Sequence, residues 1–234
     1  MEEYREFDFF RGKVRFRQPR SHRLSVVEIL FLANLRGVRK SSKVVDLGAG
    51  FGALSIILAL KHQCQVWAIE RDPKMLELLK HNLVLNGLEE KVHVVEMDLK
   101  DVWRAFRPHH FDVIVANPPF YKGRNEKNTH HHEADTTLED FIKAGGFLLR
   151  DGGSFNLLMA SGRLIEAILY MEKYNIHTAS IRFFYPKITK NSKVVCIYAL
   201  KNLKPNPVVE KPLIINEEDG SFTQEARDIL DGFL

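Results

Sequence analysis

From Lys43 onward, short apolar runs alternate with longer amphipathic stretches, and that alternation limits what the chain can fold into. Residues 44–47 read as a buried strand and 53–61 as a helix. Residues 65–70 are strand-like again, and Asp72-Pro73 opens a helix that Asn86-Gly87 closes. Further strands are expected at 92–95, 111–116 and 154–159, the last after a turn at Asp151-Gly152-Gly153. Helical stretches near 99–106, at 137–149 and at 162–173 separate them. A strand, a helix and a second strand build a parallel pair, so the expectation is an α/β sheet covered by helices on both faces. The ending breaks the pattern. The strand-like runs 176–185 and 193–200 are joined by residues 186–192, too few for a crossover helix, so these two strands should form an antiparallel hairpin. The expected sheet has seven strands, mostly parallel. A short piece at 213–215, a turn at Asp219-Gly220 and a helix from about Thr223 end the chain.

The segment ahead of this alternation has a different character. Residues 4–17 suggest a hairpin turning at Arg11-Gly12, with Val14 and Phe16 on one face of its second arm and Lys13, Arg15 and Arg17 on the other. Ser25 with Glu28 three positions later is a capping-box pattern, opening a helix to about residue 35. We therefore divide the chain into a basic hairpin and helix at 1–40, packing on a sheet domain at 41–234.

Charge is unevenly placed although the net value is only +4. Residues 11–23 hold Arg11, Lys13, Arg15, Arg17, Arg20 and Arg23 without an acid. Residues 181–193 hold Arg182, Lys187, Lys190 and Lys193, again without one. Two such patches suit a polyanion, although a charged edge strand also guards against aggregation. The two cysteines, Cys64 and Cys196, form no C-x-x-C pair, which argues against a zinc site or disulfide framework. Both are expected to be inert, and Trp67, Trp103, His81 and His93 to pack in the core. The amino terminus lacks an apolar signal core and no run is long enough to span a membrane, which fits the cytoplasm. Consecutive histidines at 130–132 point in different directions in an extended loop, so no metal is expected and a substrate-facing lid is preferred.

Two strand ends carry the chemistry. The first expected strand runs into Asp46-Leu47-Gly48-Ala49-Gly50-Phe51-Gly52, a turn that lets backbone approach a ligand at a helix N-terminus. Asp46 would repel a pyrophosphate and favours a cationic group. Glu70 ends the second strand, where an acid can accept from ribose hydroxyls, and Asp98 follows the third, where it can accept from an adenine amine. An adenosine joined to a cationic amino-acid portion satisfies all three, and S-adenosylmethionine is such a molecule. The strand at 111–116 stops at Asn117-Pro118-Pro119-Phe120, because proline cannot donate to a sheet ladder. The result is a stiff corner bearing an amide, carbonyls and a flat ring, at the strand end where open α/β sheets bind ligands.

Together these motifs carry a resemblance. The runs Val-Val-Asp-Leu-Gly-Ala-Gly-Phe-Gly, Ala-Ile-Glu-Arg-Asp, Met-Asp-Leu and Asn-Pro-Pro-Phe resemble the Rossmann-like class I S-adenosylmethionine-dependent methyltransferases that modify planar amino nitrogens. Within that group the chain is most similar to bacterial enzymes that methylate N6 of the adenosine beside the anticodon of valine tRNA. The similarity extends through 16–25, Tyr121-Lys122, His132-Glu133, Leu138-Glu139-Asp140, Arg163-Leu164 and Tyr185-Pro186-Lys187. It implies cofactor contacts at Asp46, Gly48, Ala49, Gly50, Gly52, Glu70, Arg71, Asp98, Leu99 and Asn117. It implies a catalytic corner of Asn117, Pro118, Pro119 and Phe120. An RNA surface would use Lys13, Arg15, Arg17, Arg20, Lys122, Lys187 and Lys190. In one departure, relatives carry an acid two residues beyond the position matched to Ser25, where this chain has Val27. No contact from that helix to the cofactor is therefore carried over.

The corner suits methylation of an amine whose lone pair is delocalised into a ring or carbonyl. The Asn117 oxygen and the Pro118 carbonyl can accept its two N–H bonds and stabilise the charge that develops on nitrogen. Phe120 can stack on a flipped base. The expected reaction is methyl transfer to an adenine N6 in structured RNA, a tRNA above all. A glutamine amide of a protein or a guanine N2 amine of ribosomal RNA fits the same corner, and a non-catalytic RNA-binding module is the reading from another class. The sequence leaves the oligomeric state open, and a monomer is compatible with it.

Overall fold

The structure, a computed structural model, describes residues 4–19, 23–119 and 136–234. The chain opens with antiparallel β1 (Arg5–Phe9) and β2 (Val14–Gln18). Helix α1 (Val26–Ala33) begins at the expected capping box. Then come β3 (Lys43–Leu47), α2 (Ala53–His62), β4 (Gln65–Glu70), α3 (Pro73–Asn86) and β5 (Val92–Glu96). Asp72 caps α3 ahead of Pro73, and Gly87 closes it in the left-handed conformation. A 3-10 turn at Leu99–Asp101 leads into the short α4 (Val102–Ala105), so the helix read near 99–106 is two short pieces. Next are β6 (Phe111–Ala116), α5 (Leu138–Leu148), β7 (Leu149–Ala160), α6 (Leu164–Lys173), β8 (Ile176–Tyr185) and β9 (Val194–Lys201). The chain ends with β10 (Val208–Val209), β11 (Leu213–Ile214) and α7 (Gln224–Asp231).

Strands β7, β6, β3, β4 and β5 lie side by side and parallel, and β9 inserts antiparallel between β7 and β8. This is the Rossmann-like arrangement expected, with its antiparallel C-terminal pair. Two details differ. Strands β10 and β11 add to the outer side of β8 and bring the sheet to nine strands among the described residues. Pro205, Pro207 and Pro212 break that segment into two-residue pairings, which still cover an otherwise open edge. The turn read at 151–153 lies within β7. The register passes from Phe111↔Leu149 to Val113↔Ser154, so the extra residues, with Gly152 at φ 71°, form a bulge inside one strand.

Alternate residues of the central strands feed two cores. Val44, Val113 and Val115 join the core beneath α1, α2, α3 and the hairpin. Val45, Leu47, Ile114 and Ala116 join the core beneath α5 and α6. Hairpin and sheet share the first core: Phe16 is fully buried, with its ring edge-on to Phe51 at 5.8 Å. Two asparagines one helical turn apart on α3 satisfy the open edge of β2. The Asn86 amide accepts from Arg15 N (3.0 Å) and donates to Arg15 O (2.7 Å). The buried Asn82 amide accepts from Arg17 N (2.7 Å) and donates to Arg17 O (3.0 Å) and Phe51 O (2.9 Å). The i,i+4 spacing thus mimics a strand ladder.

Several core expectations fail. Trp103 is 59% exposed; its Nε1 donates to Lys100 O and the Arg104 guanidinium lies 5.0 Å from its ring centre. Helix α4 has only one turn and cannot turn a wide apolar face inward. His81 pairs with Glu6 at 3.2 Å on the surface, and exposed His93 stacks on Trp67 at 4.7 Å. Trp67, by contrast, does pack against the core beneath α5 and α6, half-buried and edge-on to Phe111 at 5.1 Å. Cys64 and Cys196 are buried and their thiols are pushed up to about 11 and about 12, chiefly by burial, so both stay protonated. No helix among the described residues is long and apolar enough to cross a membrane. No group of metal-ligating side chains occurs among them either, and His130, His131 and His132 lie outside them.

Candidate active site

Parallel register brings the functional strand ends to one edge. Leu47 pairs with Ile69 and with Ala116, and Glu70 with Glu96. The glycine turn, Arg71, Asp98 and Asn117 therefore leave the sheet together. A cavity of about 650 Å³ opens there, a size suited to a cofactor-sized ligand. Its wall includes Gly48, Glu70, Arg71, Leu99, Pro118 and Pro119 from the expected site. Phe141, Arg163, Glu166 and Tyr170 from the neighbourhood of α5 and α6 also line it. Phe120, Lys122 and Arg20 lie outside the described residues.

The glycine turn is fixed from below. Gly48 N and Ala49 N both donate to Ile69 O at 2.9 Å. Gly48 has φ 71°, and a Cβ there would stand 3.0 Å from the Phe141 ring. Gly52 caps α2 at φ 91°, where a Cβ would meet Leu79 Cδ1 at 2.3 Å. Neither position accepts a side chain, and the bare backbone at Gly48 leaves room for a ligand against the turn.

Glu70 ties the turn to the next strand. Its Oε2 accepts from Gly50 N at 2.8 Å, while its Oε1 accepts from Arg71 N at 2.8 Å and Asp72 N at 2.9 Å. A carboxylate has about four acceptor sites, so about one remains free of these backbone donors. Asp98 accepts from Lys100 N at 2.9 Å and from Arg71 Nη1 at 2.9 Å. Burial pushes this carboxyl up, but the Lys100 N–H and the Arg71 guanidinium outweigh it and hold it below the usual carboxylate range. Asp98 thus remains an ionised acceptor, already half-engaged.

Asp46 is 2% exposed and accepts from Ser55 Oγ at 2.7 Å. Burial, with added repulsion from Glu70 and Glu28, raises its carboxyl to about 7 against the relief of the Ser55 hydrogen bond. Three acids from α1, β3 and β4 therefore crowd beneath the turn. A cationic ligand relieves that crowding, which suits a sulfonium and an ammonium group.

At the Asn-Pro-Pro corner, Pro118 is buried and Pro119 exposed. The Asn117 side chain donates through Nδ2 to Glu28 Oε1 at 3.0 Å. Glu28 is 6% exposed, and its other oxygen accepts from Ser25 N (2.8 Å) and Ser25 Oγ (2.9 Å). Helix α1 therefore does bring an acid to the site, one position beyond Val27. Sequence reading assigns Glu28 to the cap alone; its place in the polar part of an otherwise buried helix is the available signal. Phe141 and Tyr170 escape such a reading because helical aromatics ordinarily belong to the core.

The basic residues divide into two groups. Strand β2 runs antiparallel to α3, with Arg17 beside Asn82 and Arg15 beside Asn86, and α3 starts at the cavity edge. Lys13 and Arg15 thus lie toward the far end, where Lys13 Nζ donates to Leu234 O and Arg15 pairs with Asp8 at 3.7 Å. Arg17 is nearer the cavity, 5.7 Å from the Tyr4 ring centre. The link between β8 and β9 emerges at the cavity edge, because Val194 pairs with both Phe184 and Ala160. Lys187 donates to Glu218 O at 2.7 Å, whereas Lys190 and Lys193 are exposed.

Comparison with known proteins adds independent findings. Residues 25–180 match the model of the methyltransferase small domain family. The chain is similar to the tRNA1(Val) (adenine(37)-N6)-methyltransferase of Dyadobacter fermentans, with 24% identity over 208 residues and 84% of each chain covered. The protein of the same description from Cytophaga hutchinsonii is 21% identical, over 81% of each chain. Among solved structures, Atu636 of Agrobacterium tumefaciens, described as a predicted O-methyltransferase, superimposes with a TM-score of 0.73 at 22% identity, covering 87% of this chain and 95% of that one. M. jannaschii TYW2 in complex with AdoMet gives 0.59 at 19% identity, covering 86% and 88%.

Proposed function

Since this chain belongs to the methyltransferase small domain family, whose methyl donor is S-adenosylmethionine, we propose that it methylates the N6 amine of an adenine in structured RNA, with tRNA as the substrate class. The observation that carries this reading is the Asn117-Pro118 corner: an amide braced by a buried carboxylate, adjoining a prolyl wall of the cavity. The names of the relatives and the basic link at the same sheet edge favour RNA over protein.

The bound cofactor supplies a methyl group on a positively charged sulfur. Gly48, Glu70, Arg71 and Leu99 would hold it, with Asp46 and Asp98 contributing negative charge. Asn117 Oδ1 and the Pro118 carbonyl accept the two N–H bonds of the adenine amine, drawing its lone pair out of conjugation. With the cofactor in place, that lone pair would form the new N–C bond as the methyl group left its sulfur, the S–C electron pair staying behind on sulfur. The cationic nitrogen then loses a proton to water, so no strong base is required. Phe120 supplies a stacking ring by the sequence reading.

Reaction of the purified protein with labelled cofactor and total tRNA, followed by nucleoside analysis, tests the proposal. The expected product is N6-methyladenosine. Label in protein alone, or in a guanine N2 product, defeats it. Charge reversal at Lys190 and Lys193 should weaken RNA binding and flatten the dependence of log K on log salt by roughly one unit for each phosphate no longer neutralised. Reversal at Arg15, farther from the cavity, should change the slope less; the opposite ranking would place the RNA along the hairpin.

A further inference from the structure

We infer that Glu28 is a positioning residue that sets which end of the Asn117 amide meets the substrate. This deepens the proposed reaction and rests on it. A side-chain amide can flip end for end, exchanging an acceptor for two donors with little change of shape. Only one orientation serves methylation of an amine, because Asn117 must present oxygen to the substrate N–H. Among the described residues, the Asn117 side chain hydrogen-bonds to Glu28 and not to its own motif. Glu28 enforces that choice. A carboxylate has no proton to give, so the Asn117 group facing it must be the NH2, as the 3.0 Å hydrogen bond from Nδ2 to Oε1 shows. The oxygen is thereby turned away from Glu28. Helix α1 packs on one face of the sheet, whereas α5 and α6 on the other face contribute to the cavity wall together with Pro118 and Pro119 next to Asn117, so the side of Asn117 away from α1 is the side on which the cavity lies.

Glu28 is itself immobilised. Its second oxygen accepts from both the backbone N and the hydroxyl of Ser25, and its backbone N donates back to Ser25 Oγ at 3.2 Å. The capping box thus does two things with one carboxylate: it starts α1 and it orients the catalytic amide. The charge contributes as well, since an anion behind Asn117 polarises the amide and raises the negative character of its oxygen.

The decisive variant is Glu28→Gln. Glutamine preserves the shape and serves capping boxes as glutamate does. If its oxygen stays with Ser25, its NH2 faces Asn117, which must flip and offer donors to the substrate amine. The single-turnover methylation rate should fall about ten- to a hundredfold, with cofactor Kd and Tm near wild type. Asn117→Asp alone sets two carboxylates against each other and should also lose rate. The double variant Glu28→Gln/Asn117→Asp should recover much of it, because the introduced glutamine donates to one oxygen of the new carboxylate and leaves the other for the substrate. Recovery in the double variant is a signature that a merely structural role for Glu28 would not produce. An unchanged rate in Glu28→Gln, or a loss that Asn117→Asp does not repair, overturns the inference. If the wild type methylates no adenine, the functional proposal fails first, and the two failures remain distinct. An amide-resolved NMR spectrum gives a readout free of activity: the Asn117 side-chain NH2 should be protected from exchange in the wild type and lose that protection in Glu28→Ala.

Discussion

Asn117→Ala should lower methyl transfer by about two orders of magnitude or more while leaving cofactor affinity within a few-fold of wild type. The substitution removes the Asn117 side-chain acceptor from the corner. Its companion acceptor, the Pro118 carbonyl, survives because it belongs to the backbone. The substrate amine then keeps its lone pair conjugated with the ring, and the charge that grows on nitrogen loses a stabilising oxygen at the moment it matters. Stability should change little. Glu28 retains the Ser25 N–H and hydroxyl as donors, so its carboxylate is not left bare and α1 keeps its cap. Single-turnover rates with tRNA, set beside calorimetric titration with S-adenosylmethionine, separate the two quantities. A parallel loss of cofactor affinity would make Asn117 part of the cofactor cradle instead of the chemistry.

Asp46→Asn should have opposite effects on binding and on stability. The carboxyl of Asp46 is raised to about 7 in the folded chain, against 3.8 in an unfolded one. A raised carboxyl stabilises the fold when protonated. That contribution is complete below the unfolded value and is lost as pH climbs through the folded one. At pH 8 the native protein therefore carries a buried charge that asparagine removes, and the cofactor-free variant should be the more stable by on the order of a few kcal/mol. The advantage should shrink steadily toward pH 4, and denaturant unfolding at several pH values measures it. Cofactor binding reverses the ranking. A cation settling near the turn favours ionised Asp46, so wild-type affinity should rise as pH increases toward 7 and level off above it. The variant should bind about tenfold more weakly or worse at pH 8, with that pH dependence gone. Equal affinity and an equal pH profile in the two proteins would remove Asp46 from the cofactor site.

Much of this site is local in sequence. Glycines 48, 50 and 52 sit between a strand and a helix, an acid stands within two residues of the end of each of three strands, and two prolines end a fourth strand. Each signal depends on the residues beside it, so each survives reading in one dimension. Glu28 shows where that reading stops. Its capping role spans three residues and was legible, but its bond to Asn117 crosses 89 positions and no periodicity encodes it. The hairpin shows the same limit. Its alternation is plain in the sequence, yet Asn82 reads as an ordinary helical residue and Asn86 only as part of the helix stop, and their binding to Arg17 and Arg15 emerges only when α3 and β2 pack. That packing also ranks the basic residues. The direction of β2 sends Lys13 and Arg15 away from the cavity, while antiparallel β9 returns its lysine-bearing link to the cavity edge.

From the sequence come the alternation of the main strands and helices, the parallel sense of the central strands, the antiparallel C-terminal pair, and the motif at each functional strand end. These follow from hydrophobic period, turn chemistry and the length of each connection. Tertiary structure alone decided how the strand ends share one cavity, how crowded acids raise Asp46, and which way the Asn117 amide faces. Those properties depend on distances across the chain, where burial and the approach of like charges set energies that local order cannot carry.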